Sequence, residues 1–111
     1  MKKVFFSILI LSTLVTNCTR WQIEKETPNC VKDKIVDFKN STECPDLKVE
    51  QYTFQENTVY VFIVDCGADI AWNVIDANCN HLGYLGGFDG NWEINGEDFS
   101  NAIFVKTVWT K

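Results

Sequence analysis

The chain has 111 residues with ten Lys or Arg, fifteen Asp or Glu and one His, a formal net charge of −5 at pH 7, and that length allows one small domain around one core. No Lys or Arg falls between Lys48 and Lys106, while nine Asp or Glu do. This argues against nucleic-acid binding, which needs cations against phosphate, and leaves solubility, a cationic ligand or a basic partner as reasons for the acidic bias.

The chain opens MKKVFFSILILSTLVTN, with Lys2 and Lys3 before an apolar run from Val4 to Leu11. That order predicts a secretory signal over residues 1–17. The run is much shorter than the ~20 apolar residues of a bilayer-spanning helix. Five cysteines follow from Cys18 onward, an odd number. If Cys18 is set apart, Cys30, Cys44, Cys66 and Cys79 form an even set, read as two disulfides in an oxidising compartment. A four-cysteine zinc site is the competing reading, but no CxxC spacing exists and thiolates compete poorly with oxidation outside the cytosol. Without the first 17 residues the chain keeps 94 residues with eight Lys or Arg and fifteen Asp or Glu, a net charge of −7.

Residues 18–27 read as a polar tether around Trp21 and Ile23, and residues 28–111 as the domain. Thr27 is placed to cap a helix that has Pro28 in its first turn. Val31, Ile35 and Phe38 make one apolar stripe, and Asn40 and Ser41 end it. From Lys48 the period changes to two. Tyr52 and Phe54 share a face, Glu56-Asn57 is the expected turn, and Val59 to Val64 is apolar on both faces, as a strand covered on both sides would be. AWNVID is a third strand, DANCN a turn, HLGYLGG a fourth strand, FDGNWEINGEDFSN a loop, and IFVKTVW a last strand closing an edge.

The expected fold is therefore α+β: one N-terminal helix packed on a small antiparallel β-meander, with two disulfides. The meander selects among the three pairings of four cysteines. It places Cys79 near Cys30 and Cys66 near Cys44 at opposite ends of the layer. A Cys66–Cys79 link would span a strand of about 20 Å, against the ~4.4–6.8 Å that a bridge allows between Cα atoms.

The junction before Cys18 resembles a bacterial lipoprotein signal, in which a cysteine closing a short apolar segment is lipidated and begins the mature protein. Val15, Thr16 and Asn17 depart from the commonest form of that motif; the alternative is cleavage elsewhere, with Cys18 a thiol or part of an intermolecular bridge. Over about residues 29 to 110 the chain also resembles a family of small predicted lipoproteins of unknown function, on the strength of CVKDKI, the YTF…TVYVF hairpin, VIDANCN, LGYLGG and GEDF. The turn VIDANCNHLG is similar to turns of small periplasmic domains that fold a helix on a meander, a likeness of fold alone. These resemblances imply an exported protein held to the membrane by lipid on Cys18. Thr19, standing where an Asp marks inner-membrane retention in some bacteria, points to the outer membrane of a Gram-negative cell.

Catalytic signals are sparse. His81 is the single histidine, no GxSxG, HExxH or paired-histidine pattern occurs, and no catalytic residue is assigned. No cofactor is assigned either, calcium being the one considered. Asp89, Asn91, Glu93, Asn95, Glu97 and Asp98 supply hard oxygens, and the series from Asn91 follows an EF-hand loop as far as Glu97. It departs at Asp98, where an apolar residue belongs, and at Ala102, where a bidentate Glu is needed. Trp72, Tyr84, Phe88 and Trp92 flank this acidic stretch, and Trp72, Tyr84 and Trp92 are the candidates for a platform that takes a sugar or peptide. The resulting expectation is a lipid-anchored binding domain without catalysis, acting on an unidentified protein partner or a small ligand.

Overall fold

The structure is a computed structural model that describes residues 18–111. The signal expected over residues 1–17 lies outside the described residues. A four-residue helix, α1 (Cys18–Trp21), precedes α2 (Asn29–Ser41). Five strands build the main sheet: β1 (Leu47–Phe54), β2 (Asn57–Val64), β3 (Ala71–Asp76), β4 (His81–Gly86) and, late in the chain, β7 (Ile103–Thr110). Their order is β4-β3-β2-β1-β7, every pair antiparallel. The α+β meander, with its last strand on one edge, is what the sequence pattern predicts.

α2 starts one residue later than a Thr27 cap would set it. Pro28 occupies the N-cap and its carbonyl accepts the Lys32 N–H at 2.9 Å, while Thr27 is buried with its hydroxyl unpartnered. The ψ of Pro28, 147°, is extended, so helical backbone begins only at Asn29. The stripe packs as its spacing requires. Val31 and Ile35 are fully buried, and the Phe38 ring meets Phe62 edge-on at 5.2 Å and Trp109 at 6.4 Å.

The β1–β2 turn is Gln55-Glu56, one residue earlier than Glu56-Asn57. Both residues have positive φ, 52° and 64°, and Phe54 pairs with Asn57, the geometry of a two-residue hairpin whose twist matches its strands. β2 is the central strand, and Val59 to Ile63 is buried without alternation. Residues of one parity, Tyr60 and Phe62, join the core beneath α2 with Val31, Ile35, Val49 and Trp109. Those of the other parity, Val59, Val61 and Ile63, join a second core with Phe54, Val74, Leu85, Ile94 and Phe99.

The cover of that second core corrects the loop reading of residues 88–101. Glu93–Ile94 (β5) and Glu97–Asp98 (β6) pair as a small hairpin about Asn95-Gly96, both at positive φ, and a 3-10 turn, Phe99–Asn101, follows. Ile94 and Phe99 hang from it onto the sheet, 1% and 5% exposed. The Asn-Gly turn and the burial of Ile94 and Phe99 favour this folded form over an open loop.

Residues 19–27 are packed rather than extended. Ile23 is buried in the core under α2, the Glu24 N–H donates to the Val108 carbonyl at 2.9 Å, and Arg20 pairs with Asp33. Both disulfides are the expected ones. Cys30 and Cys79 lie 6.2 Å apart between Cα atoms, and Cys44 and Cys66 lie 6.0 Å apart.

Candidate binding groove

Alternation along β3 sends Trp72 and Val74 to the face away from α2 and Asn73 and Ile75 to the other. The Trp72 indole N–H donates to the Val64 carbonyl at 3.2 Å, which fixes the ring. The 88–101 segment brings Trp92 over it. The two indoles meet edge-on with centroids 6.0 Å apart, and Trp92 in turn meets Phe99 at 6.5 Å. Tyr52 of β1 completes the row, 5.3 Å from Phe99 and 5.6 Å from Phe104. Between these rings, Leu85 and Ser100 runs an open groove of about 250 Å³. Trp92 on its rim is 41% exposed.

Polar groups edge the groove. The Tyr52 hydroxyl donates to Glu50 Oε1 at 3.0 Å. Burial first, then this hydrogen bond and the Glu50 charge, push the Tyr52 phenol up to about 12, so it stays a neutral donor and keeps Glu50 in place. The groove is smaller than the ~300–1,000 Å³ of usual small-molecule sites. It has room for one ring or one side chain. Ring faces beside the polar side chains of Tyr52 and Ser100 suit the mixed apolar and polar surface of a sugar, or the side chain of a peptide.

The structure separates the three aromatic candidates. Trp72 and Trp92 come together, whereas Tyr84 pairs with Asn73 across β3–β4 and so shares the α2 side of the sheet. Tyr84 meets His81 edge-on, centroids 4.6 Å apart, and both are exposed at the β4 edge. Phe88 is 94% exposed. Tyr52 and Phe99 are groove residues that the sequence reading did not single out. Tyr52 was visible as a core position of β1, and nothing in the local pattern places Phe99 beside it.

The oxygen-rich residues of the 89–98 stretch hold the segment's own fold. Asp89 accepts the Asn91 N–H at 3.4 Å, and the Asn91 side chain donates to the carbonyls of Tyr84 and Glu93 at 2.8 and 3.0 Å. Glu97 accepts from Gln55 and Asn101, both at 3.2 Å, and Asn95 donates to Gln55 at 3.4 Å. Asp98 caps the 3-10 turn, accepting from Ser100 N at 2.8 Å, and this bond lowers its carboxyl pKa. Among the described residues no three His, Cys, Asp or Glu converge as a metal site. Nor is any helix among them long and apolar enough to cross a membrane.

Compared with known proteins, the chain matches the model of one family, described as Domain of unknown function (DUF6970), over residues 36–111. No curated protein and no solved structure matches it.

Proposed function

Since the chain belongs to the DUF6970 family, a domain of unknown function, we propose on its own residues that it is an exported, lipid-anchored binding domain that performs no chemistry. One observation carries this reading: four of the five cysteines lie paired at bridging distance, and the fifth, Cys18, closes the apolar run at the start of the chain. Disulfides imply an oxidising compartment, and a thioether-linked lipid on Cys18 accounts for the odd cysteine. Without Cys18 the domain should fold but leave the membrane. Fractionation of cells expressing Cys18→Ala, with labelled fatty acid, tests it. Undiminished label and membrane recovery in the variant would refute the anchor.

The groove of Tyr52, Trp72, Trp92 and Phe99 favours a specific mode of binding, in which one sugar ring or one peptide side chain stacks against Trp92. Titration of oligosaccharides and peptides against intrinsic tryptophan fluorescence should give a saturable change that Trp92→Ala abolishes. A ligand whose affinity is unchanged in Trp92→Ala binds elsewhere. No catalytic role is given to His81, which lies at the β4 edge away from the groove lining.

A further inference from the structure

We infer that the domain sits directly on the bilayer through α1 and the α2 face of the sheet, with Trp21 inserted among the lipid headgroups and the aromatic groove turned outward. This rests on the lipid-anchor reading of Cys18 and adds an orientation that the anchor alone does not supply.

The residues after Cys18 leave no slack. Thr19 accepts a hydrogen bond from the Lys39 ammonium of α2 at 3.0 Å, and Arg20 pairs with Asp33 of the same helix. Ile23 is buried at 4% exposure. Glu24 is tied twice to β7, through its N–H to Val108 and through its carboxylate to Lys106 at 3.2 Å. A chain that is docked from its second mature residue onward cannot act as a spacer.

α1 runs from Cys18 to Trp21, a rise of about 4.5 Å at 1.5 Å per residue. The headgroup layer on each side of the hydrocarbon is about 5–7 Å deep. Lipid on Cys18 therefore keeps Trp21 within about one headgroup depth of the anchored residue. Trp21 is 75% exposed on the protein, which an apolar ring with one N–H tolerates poorly in water and well at a membrane interface.

Charge favours the same orientation. Residues 19–48, which hold α1 and α2, carry six Lys or Arg and six Asp or Glu, whereas residues 49–105 carry nine Asp or Glu and no Lys or Arg. An anionic leaflet repels the second part and not the first. The groove residues face away from α2, so this orientation leaves them open to solution.

The test uses the full lipidated protein in phosphatidylethanolamine–phosphatidylglycerol vesicles whose acyl chains are brominated near the headgroup. The protein has four tryptophans, and of these only Trp21 should be quenched by bromine. Trp21→Phe, a surface change, should sediment with the vesicles as the wild type does and lose the quenching several-fold. Lipidated protein that sediments but is quenched equally in both forms, or in neither, overturns the orientation while leaving the anchor standing. If mass spectrometry finds no lipid on the peptide that starts at Cys18, the anchor fails and the orientation with it.

Discussion

Replacing Ile94 by Ala measures whether the 88–101 segment is a structural layer or a loop. Ile94 is 1% exposed in the second core. Removing three carbons forfeits about 2.4 kcal/mol at ~0.8 kcal/mol per buried methylene. The vacated space cannot easily be refilled, because Ile94 Cδ1 lies where only glycine fits: a Cβ on Gly83 would come within 2.9 Å of it. With a cavity term the loss is about 3 kcal/mol. At about 4–8 °C per kcal/mol for a domain of this size, the melting temperature should fall by about 12–24 °C. Circular dichroism melts of the oxidised protein read this directly. A side chain on a solvated loop would cost at most about 0.5 kcal/mol, so a shift under about 3 °C would refute the packing. A double-mutant cycle sharpens the result. Gly83→Ala alone should destabilise by about 1–3 kcal/mol or more, through overpacking against Ile94 and through backbone strain at a φ of 156°, and in the Ile94→Ala background the overpacking part should vanish while the strain remains.

Non-reducing peptide mapping should recover Cys30 with Cys79 and Cys44 with Cys66, whose sequence separations of 49 and 22 imply about 4 and 3 kcal/mol of loop-closure stabilisation; a Cys66–Cys79 peptide would contradict the meander. Tyr52, raised to about 12, and Tyr60, also raised by burial, should ionise late in an ultraviolet absorbance titration. Because their folded values exceed the unfolded one near 10, their stabilisation is complete below pH ~10 and is lost as pH rises toward the folded values. Burial works against ionisation of Asp76, but hydrogen bonds from Asn80 and Asn78 prevail and lower its pKa. Its contribution should therefore be present above pH ~4 and fade in more acid solution, and an acid melt of Asp76→Asn that shows the wild-type pH profile would disprove it. Millimolar calcium should leave the melting temperature unchanged, since Asp98, Glu97 and Asn91 are engaged within the segment; a rise would signal binding by linkage.

Periodicity made α2 and the strands legible in the sequence, because Val31, Ile35 and Phe38 recur at helical spacing, Tyr52 and Phe54 at strand spacing, and Val59 to Val64 without interruption. These signals are local, and each states which faces an element must bury. The disulfide pairing followed from them, since the up-and-down order of a meander leaves each cysteine one partner within reach. Tertiary structure decided what lies against the second face of β2. Ile94 and Phe99 stand in a polar stretch with no period, and their burial depends on β1 to β4 being in place to receive them. It also decided the groove: Tyr52 comes from β1, Trp72 from β3, and Trp92 and Phe99 from the 88–101 segment, and Tyr84, equally aromatic, went to the opposite face because a strand alternates its side chains. Residues 19–27 have the composition of a tether, and only packing shows them bound, through one buried isoleucine and a backbone hydrogen bond to β7. Composition reports what a segment can do alone in water, whereas its place in the fold depends on surfaces that distant residues build.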